Sequence, residues 1–424
     1  MNLLQELKSR NLYHHSTDEE NLIKHLEDNK PVTFYIGFDP TASSLHVGSL
    51  LQLITMKRLQ NHGHRPVLVV GGGTGMIGDP SGKSAERKLL DEKTLEENVQ
   101  GIKAQAMKFL DFDDPKNGAV VVNNAQWLGK LNFIEFLRDT GKHFSVNAMI
   151  AKDSVRQRLE NREQGISFTE FTYQLLQAYD FLYLAQNHNC TLQIGGSDQW
   201  GNITAGIDLA RRKNGLQLHG LTIPLVTTSS GTKFGKTESG TVWLCPERTS
   251  PYHFYQFWLR TEDNDVINYL KEFTFLSLDE VNDLEKQHLE APQHRIAAKK
   301  LAEEMTQLVH GTEGVESAVR ATQAFFGGDL TGLTIAELEA VFSDIDSTQM
   351  NSSEINSMAV VDLMAVTLCK SKGEARRLIK GGGIYLNNNR LSDENYTIST
   401  DDFLGGKFLV LRSGKKRYHL VKII

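Results

Sequence analysis

Two buried-strand patterns separated by one helical pattern constrain the fold of this chain more than any other feature. The run VTFYIGF at residues 32–38 is almost wholly apolar, and PVLVVGGGTG at 66–75 begins in the same way. Between them, SLLQLITMKRLQNHG at 49–63 has apolar residues at helical spacing and ends at a glycine. A strand, a helix and a strand in this order form a right-handed crossover between parallel strands. We therefore expect a parallel sheet with helices packed on it.

Further patterns extend this unit into a larger α/β domain. Strands are predicted in AVVVNNAQW at 119–127, in TLQIGGSDQW at 191–200 and in LTIPLVTT at 221–228, with a long helical stretch before the second of these. The pattern indicates a doubly wound, Rossmann-like parallel sheet with a helical insertion. The predicted order is this α/β domain at 1–225, an α-helical domain at 226–325, a linker at 326–357 and a small α+β domain at 358–424.

Charge is distributed unevenly between the body of the chain and its end. The net charge is −6, yet residues 358–424 hold 12 Lys and Arg against 6 Asp and Glu. The other residues hold 34 basic against 46 acidic side chains. A basic terminal module on an acidic body points to contact with a polyanion.

Composition excludes several classes of protein. No stretch reaches 18 uncharged apolar residues, and the opening MNLLQELKSRN carries charges where a signal peptide would be apolar. The three cysteines lie far apart and match no zinc or redox spacing. We expect a cytoplasmic protein without a membrane segment, and we assign no residue to a metal.

The glycine-rich segment at 71–84 has several interpretations. Its glycines match the G-x-G-x-x-G pattern of dinucleotide-binding folds, but Asp79 and Pro80 interrupt the helix that a dehydrogenase requires next. A P-loop ending in the GKS at 82–84 would need glycine where Ile77 stands. A tight turn without a ligand is a further interpretation. We favour a close approach of the backbone to a small ligand.

Two distant segments carry the residue types that bind polyphosphate. The segment FDPTASSLHVGS places Thr41, His46 and Gly48 at a helix start, where free N–H groups attract anions. The segment GTKFGKTESG carries Lys233 and Lys236 between glycines, which is typical of a loop that closes over its substrate. Taken singly, the histidine is more often a helix cap and the loop a solvated one. Taken together, they predict stabilisation of negative charge on a triphosphate during transfer at the α-phosphate.

These segments belong to a set of motifs that resembles the bacterial tyrosyl-tRNA synthetases, which are class I aminoacyl-tRNA synthetases. HVGS at 46–49 resembles the HIGH motif of this family, and KFGKT at 233–237 resembles its KMSKS loop. Ser49 departs from the usual His or Asn, so that a contact to the ATP ribose or phosphate is shortened or absent. Similar blocks along essentially the whole chain are GFDPTASSLH, GDPSGK, GKHFSVN, SFTEFTYQLLQAYDF, QIGGSDQWGNI, SPYHFYQFW and GKKRY.

The resemblance implies that the carboxylate of L-tyrosine attacks the α-phosphate of ATP, and that tRNA(Tyr) then accepts the tyrosine. It implies no permanently bound cofactor, since ATP with Mg²⁺ is a substrate. The catalytic residues so implied are Thr41, His46, Lys83, Arg87, Lys233, Lys236 and Thr237. Those for tyrosine are Tyr35, Asp79, Asn124, Tyr173, Gln177, Asp180 and Gln199. Those for ATP are Gly37, Asp39, His46, Gly48, Ser49, Gly196, Asp198, Leu225, Val226 and Lys236.

One part of the tyrosine pocket is also indicated by residue spacing. Tyr173, Gln177 and Asp180 fall at i, i+4 and i+7, on one face of a helix. A structural face is the alternative, but a glutamine and an aspartate are costly in a core unless they meet a ligand. The resemblance implies that Asp180 and Tyr35 bind the phenol of the substrate. A buried pair made for a hydroxyl rejects phenylalanine, so that no editing domain is expected.

The basic end of the chain is similar to the S4 RNA-binding module. A solvated basic surface is the alternative to the RNA contacts that this similarity implies. The resemblance also implies a homodimer, and we expect its interface around residues 125–170. An RNA-binding protein with an inactive nucleotide domain is a competing interpretation because of Ser49, whereas a tryptophan-specific enzyme is disfavoured by Tyr35 with Asp180. The implied RNA-binding residues are Arg376, Arg377, Lys380, Lys415, Lys416 and Arg417.

Overall fold

The computed structural model describes residues 1–81, 90–160, 165–229, 234–237, 240–369, 371–414 and 417–424. The strands are β1 His15–Ser16, β2 Thr33–Phe38, β3 Arg65–Val70, β4 Val120–Asn123, β5 Cys190–Gly196, β6 His219–Ile223, β7 Lys236–Thr237, β8 Gly240–Thr241, β9 Ser347–Met350, β10 Ile384–Leu386, β11 Asn389–Arg390, β12 Phe408–Ser413 and β13 Arg417–Ile423. The helices are α1 Leu3–Ser9, α2 Glu19–Asp28, α3 Val47–Asn61, α4 Glu92–Phe109, α5 Ala125–Leu128, α6 Phe133–Asp139, α7 Val146–Ile150, α8 Asp153–Glu160, α9 Phe168–His188, α10 Trp200–Asn214, α11 Pro251–Leu259, α12 Val266–Phe273, α13 Leu278–Glu290, α14 Ile296–Phe325, α15 Ile335–Val341, α16 Ser352–Ile355, α17 Val360–Thr367 and α18 Lys372–Lys380.

The larger sheet has the strand order β1-β6-β5-β2-β3-β4. Its strands β2 to β6 are parallel, and β1 pairs antiparallel with β6 at the edge. The chain builds outward from β2 through β3 and β4, and then returns to the other side of β2 through β5 and β6. The predicted doubly wound sheet is confirmed. Such a sheet has a switch point between β2 and β5, and ligands bind at the carboxyl ends of the strands there.

The helical insertion lies between β4 and β5 and comprises α5 to α9. The longest of these helices, α9, begins where the Ser167 side chain accepts a hydrogen bond from the Glu170 N–H, and ends at Asn189 in the left-handed conformation (φ 51°). Both ends are therefore defined by local capping chemistry. This helix carries the polar face that the sequence assigns to the tyrosine pocket.

Compactness divides the chain into two units. The first comprises 1–248 and 261–301, and the second comprises 249–260 and 302–424. The four-domain division made from the sequence stays a prediction. Among the described residues, no helix combines the length and the apolar character that crossing a bilayer requires.

The second unit contains a sheet of order β11-β10-β12-β13-β9. One face of this sheet packs on α17 and α18 around Leu363 and Ile379, and the other packs around Leu338 and Phe342. The segment 326–357, which the sequence assigns to a linker, contains α15, β9 and α16, and β9 pairs parallel with β13. Three of the four residues of β9 are polar, so that no apolar periodicity marks the strand in the sequence.

Candidate active site

A cavity of about 310 Å³ opens at the carboxyl ends of β2 and β5, at the switch point of the first sheet. Of the residues that the sequence assigns to the site, those lining this cavity are Tyr35, Gly37, Asp39, Thr41, His46, Gly48, Ser49, Asp79, Asn124, Tyr173, Gln177, Asp180, Asp198, Gln199 and Leu225. The residues come from β2, α3, α9 and the loops after β2, β3, β4, β5 and β6. The fold therefore gathers one site from segments spread over the first 225 residues.

Other predicted site residues fall outside this lining. Gly196 lies just behind it, since a Cβ at Gly196 would stand 2.6 Å from Oδ1 of Asp198 and 3.0 Å from Cδ2 of Leu225. Its lack of a side chain lets both neighbours reach the cavity. Val226 is described but does not line it. Residues outside the described ranges are Lys83, Arg87, Lys233, Lys415 and Lys416. Lys236 and Thr237 are described as strand β7 by their backbone alone.

Asp180 is an acid of the cavity wall whose pKa is strongly perturbed by burial. Its side chain is buried, and its two oxygens accept hydrogen bonds from Nδ2 of Asn124 (2.9 Å) and Nε1 of Trp127 (2.7 Å). Burial raises the pKa of Asp180 to about 7, although both hydrogen bonds act to lower it. The carboxyl group therefore changes its charge close to neutral pH.

Tyr35 supplies a buried polar atom that needs a partner. The residue is 2% exposed, and its hydroxyl forms no hydrogen bond with any of the residues that the structure describes. Burial, aided by the charge of Asp180, raises its pKa well above the usual value, so that the hydroxyl stays neutral. Buried hydroxyls are almost always satisfied. A ligand that carries a hydroxyl into this cavity would supply the missing partner.

Acidic and amide groups line another part of the cavity. Nε2 of Gln199 donates to Asp79 (2.8 Å), and Oε1 of Gln199 accepts from Nε2 of Gln177 (3.3 Å). The hydroxyl of Tyr173 donates to Asp39 (3.0 Å), and burial raises the pKa of Tyr173 well above its usual value. Two carboxylates beside neutral donors and acceptors suit a bound ammonium group.

The start of α3 lies beside Gly235 and beside residues 242–244, which follow the second segment predicted to act on a polyphosphate. The Val47 N–H donates to the Val242 carbonyl (3.0 Å), and the Leu244 N–H donates to the Leu45 carbonyl (2.9 Å). A Cβ at Gly235 would come within 2.7 Å of the Val47 side chain. The start of α3 and residues 242–244, which follow β8, are thus joined through their backbones.

His46 precedes the first residue of α3 but does not act as a side-chain cap. In the described part of the chain, its side chain makes no capping hydrogen bond to the helix. The imidazole instead folds over Gly48, where an added Cβ would stand 2.8 Å from its Cε1. The imidazole therefore occupies the space that a side chain at position 48 would fill. Its ring also makes an edge contact with Trp243 (centroids 6.1 Å apart).

Two glycines of the 71–84 segment pack closely against side chains of the protein. A Cβ at Gly71 would stand 2.2 Å from Oδ1 of Asp39, and one at Gly72 would stand 2.3 Å from Oδ1 of Asn123. At these two positions, the space that a side chain would fill is taken by other side chains of the protein. Gly71 also lines the cavity, and the close approach of a ligand to this segment stays a prediction.

Sequence reasoning missed several groups of the site. Gln193 stands in the apolar strand β5, and this buried polar residue in TLQIGG is a signal that could have identified it. Trp127 gave no signal, because nothing in the sequence places its indole beside Asp180. The other missed lining residues include Ser44, Gln52, Thr74, Ser81 and Trp243. Within the described ranges, no three His, Cys, Asp or Glu side chains are grouped to hold a metal ion.

Comparison with known proteins agrees with this geometry. Residues 27–327 match the family described as tRNA synthetases class I (W and Y). Residues 337–421 match the tyrosine–tRNA ligase SYY-like C-terminal domain.

Individual relatives match over the whole length. The tyrosine–tRNA ligase of Geobacillus stearothermophilus is 52% identical over 423 residues, which cover 100% of each chain. Tyrosine–tRNA ligase 1 of Bacillus subtilis is 50% identical over 99% of each chain. Among solved structures, a C-terminally truncated mitochondrial tyrosyl-tRNA synthetase of Aspergillus nidulans superposes with a TM-score of 0.68 at 30% identity, covering 76% of this chain and 94% of that one. The chain therefore belongs to the class I tRNA synthetases of the tryptophan and tyrosine family.

Proposed function

We propose that this chain is a tyrosine–tRNA ligase. It activates L-tyrosine with ATP to tyrosyl-adenylate and pyrophosphate, and it then transfers the tyrosine to the 3′-terminal ribose of tRNA(Tyr). The observation that carries the proposal is the unpartnered Tyr35 hydroxyl in a cavity that also contains the Asp180 carboxyl. We place the reaction in the cytoplasm, where tRNA and ATP are available.

The phenol of tyrosine is recognised by Tyr35 and Asp180. The Tyr35 hydroxyl donates to or accepts from the phenol oxygen, and the ionised Asp180 accepts the phenol proton in a hydrogen bond. Phenylalanine would leave the Tyr35 hydroxyl without a partner and would offer no donor to Asp180. Sites of this kind reject the analogue by about 10⁴–10⁵-fold, and tyrosyl-tRNA synthetases are the standard example.

The ammonium group of tyrosine is held by Asp79, Gln177 and Tyr173. Asp79 supplies the charge, and the Gln199 amide that joins Asp79 to Gln177 keeps both side chains in place. Asn124 holds Asp180 on the other side. Binding both ends of the amino acid directs its carboxylate towards the nucleotide, which removes much of the entropic cost of the reaction.

In the first step, a carboxylate oxygen of tyrosine attacks the α-phosphorus of ATP in line. The bond to the bridging oxygen breaks, and pyrophosphate leaves with the electron pair. No base is needed, because the carboxylate is already ionised. The site must instead compensate the charge of the departing pyrophosphate.

Groups on both sides of the pyrophosphate supply this compensation. Thr41, His46 and the N-terminus of α3 act from one side, and Lys233, Lys236 and Thr237 act from the other. Lys83 and Arg87 add further charge. Loss of one such donor lowers the rate by about 10²-fold. ATP reaches the site as its Mg²⁺ complex, and we assign no protein ligand to the ion.

Adenosine occupies the part of the cavity around Asp198 and Gly37. A Cβ at Gly37 would meet no described atom within 4 Å, which leaves the backbone open to a flat group. Asp198 accepts hydrogen bonds from the ribose hydroxyls. The remaining nucleotide contacts are assigned to Asp39, Gly48, Ser49, Gly196, Leu225 and Val226.

In the second step, a hydroxyl of the terminal ribose attacks the activated carbonyl carbon and AMP leaves. The second unit binds the tRNA through its basic groups. Arg376, Arg377 and Lys380 are exposed on α18, and Arg417 is exposed at the start of β13. Lys415 and Lys416 belong to the same proposed surface. Phosphate contacts of this type give an affinity that falls steeply with salt.

The enzyme acts as a homodimer. Large apolar side chains are exposed on one stretch of the first unit, and monomeric proteins rarely leave so many uncovered. These side chains, which we name the apolar surface, are Phe133 (66% exposed), Ile134 (67%), Leu137 (42%), Val146 (56%), Ile150 (41%), Leu159 (46%) and Phe168 (73%). A two-fold axis would bury such a patch against its own copy.

The test is the exchange of labelled pyrophosphate into ATP, measured with each amino acid, followed by charging of tRNA(Tyr). We expect exchange that depends on tyrosine and not on phenylalanine or tryptophan. An RNA-binding protein without catalytic activity would show none, and exchange driven by tryptophan would assign the chain to the other branch of the family.

A further inference from the structure

A buried hydrogen-bonded junction lies directly behind the phosphate side of the site. Oε1 of Gln105, on α4, accepts from the Leu45 N–H (2.7 Å), and Nε2 of Gln105 donates to Oγ of Ser44 (2.7 Å). Gln105 is 8% exposed and Ser44 is 4% exposed. Leu45 immediately precedes His46. The amide of Gln105 therefore holds the two residues that lead into the HVGS motif.

Ser44 extends this junction to residues 244 and 245, which follow the GTKFGKTESG segment in the chain. Its hydroxyl donates to the Leu45 carbonyl (2.7 Å) and accepts from the Cys245 N–H (3.3 Å) as well as from Gln105. The Leu45 carbonyl also accepts from the Leu244 N–H (2.9 Å). One donor and two acceptor sites exhaust a serine hydroxyl. Although Ser44 lines the cavity, its hydroxyl is fully used inside the protein.

One face of α4 packs along the loop that precedes His46. Nδ2 of Asn98 donates to the Pro40 carbonyl (2.9 Å), and a Cβ at Gly101 would stand 2.0 Å from the Ser43 carbonyl oxygen. With Gln105, these residues fall at i, i+3 and i+7, on one side of the helix. The helix thus presents the side-chain amides of Asn98 and Gln105 to residues 40–45, with Gly101 between them leaving room for the Ser43 carbonyl. Each of the three contacts is made to backbone or to Ser44, which is how a loop conformation is specified.

We propose that Gln105 is a positioning residue for tyrosine activation. Through Leu45 and Ser44 it holds His46 and residues 244–245 in one arrangement. The inference rests on the proposed function, since it takes His46 to act on the triphosphate. Replacing the amide by an apolar side chain leaves the Leu45 N–H without its acceptor and Ser44 without one donor. A displacement of about 1 Å at a reacting group lowers a rate by about 10²-fold.

The experiment compares Gln105→Leu with Gln100→Leu, an exposed glutamine on the same helix. The rate of tyrosyl-adenylate formation is measured in single turnovers, and tyrosine affinity is measured at equilibrium. We expect Gln105→Leu to slow activation by about 10–10²-fold, with tyrosine affinity nearly unchanged and the melting temperature lowered by only a few degrees, because one buried N–H loses its acceptor. The control should match the wild type. An equal loss of tyrosine affinity, or an unchanged activation rate, would overturn the proposal.

A double-mutant cycle with His46→Ala separates positioning from a general structural effect. If Gln105 acts through His46, removing its amide should cost little more in the His46→Ala background, and the two effects should not add. Additive effects would contradict the proposal, as would an activation rate that His46→Ala leaves unchanged. Should Gln105→Leu fail to fold, Ser44→Ala removes the same junction with a smaller change. We expect this variant also to slow activation and to leave tyrosine affinity nearly unchanged. The proposed function fails separately, if the wild-type protein forms no tyrosyl-adenylate.

Discussion

Nε1 of Trp127 donates a hydrogen bond of 2.7 Å to Oδ1 of Asp180, and this contact ties the short helix α5 to the middle of α9. The indole lies on one side of the carboxyl and Asn124 on the other. Both donors favour the ionised carboxylate, whereas burial favours the neutral acid. The opposition of these effects brings the pKa of Asp180 to about 7.

The first prediction concerns the pH dependence of tyrosine binding. Trp127→Phe removes a donor to the ionised form, so that the pKa of Asp180 should rise from about 7 by roughly one unit. Tyrosine affinity, which requires the carboxylate as acceptor, should then be lost at a higher pH as the solution is acidified. Measuring the dissociation constant of tyrosine between about pH 5.5 and 9 tests this. Trp200→Phe is the control. If the wild type and both variants lose tyrosine affinity at the same pH, the hydrogen bond from Trp127 does not set the pKa of Asp180.

The contact between Trp127 and Asp180 also shows where sequence reasoning stops. The polar face of α9 is a local property, so that Tyr173, Gln177 and Asp180 could be assigned from helical spacing. The parallel sheet followed from apolar runs in the same way. Trp127 approaches Asp180 across 53 positions of the chain, and no local pattern encodes that contact.

The junction behind His46 illustrates the same limit. In the sequence, Gln105 is one polar residue of an amphipathic helix. Its proposed positioning role depends on its contact with Ser44, which lies 61 positions away in the chain. The short edge strand β1 was missed because two residues carry no periodicity. Motif resemblance, in contrast, could assign both segments that we propose to bind phosphate, because each is itself a contiguous string of residues.

The second prediction concerns stability in acid. The Glu6 carboxylate accepts hydrogen bonds from His62 (2.6 Å), Arg10 (2.9 Å) and Arg58 (3.1 Å), and is 19% exposed. The hydrogen bond from His62, with the charges of the two arginines, lowers the pKa of Glu6 to about 2. The stabilisation is complete above the unfolded pKa near 4.5 and is lost as the pH falls towards 2.

Glu6→Gln should therefore lower the free energy of unfolding by about 2 kcal/mol at neutral pH. The difference from the wild type should shrink as the solution is acidified to about pH 3. Urea denaturation at several pH values measures both effects, with exposed Glu20 replaced by Gln as the control. A difference that does not depend on pH would show that the charge of Glu6 is not the cause.

The third prediction concerns assembly. Ile134 on α6 is 67% exposed within the apolar surface, and Ile134→Glu would place a charge in the proposed interface. We expect sedimentation equilibrium to show a dimer for the wild type and a monomer for the variant at micromolar concentration. Leu289→Glu is the matched control, since Leu289 is 74% exposed on α13 and lies outside the apolar surface. A variant that stays dimeric would exclude this surface.

The fourth prediction concerns tRNA. Replacing Arg376 and Arg377 by Gln should lower kcat/KM for tRNA at least tenfold at physiological salt, while the exchange reaction stays unchanged. The slope of log affinity against log salt should decrease by about 0.7–0.9 for each phosphate that the variant no longer neutralises. Lys407→Gln is the control, because Lys407 is an exposed basic residue of the same unit. An equal effect in this control would indicate a general influence of charge instead of a specific surface.

The most direct test of the recognition of the phenol is the ratio of kcat/KM for tyrosine to that for phenylalanine in pyrophosphate exchange. The wild type should favour tyrosine by about 10⁴-fold or more, and Asp180→Ala should reduce the ratio to about 10² or less, because a hydroxyl is then no longer required to satisfy the site. A ratio that survives this substitution unchanged would mean that the phenol is recognised elsewhere.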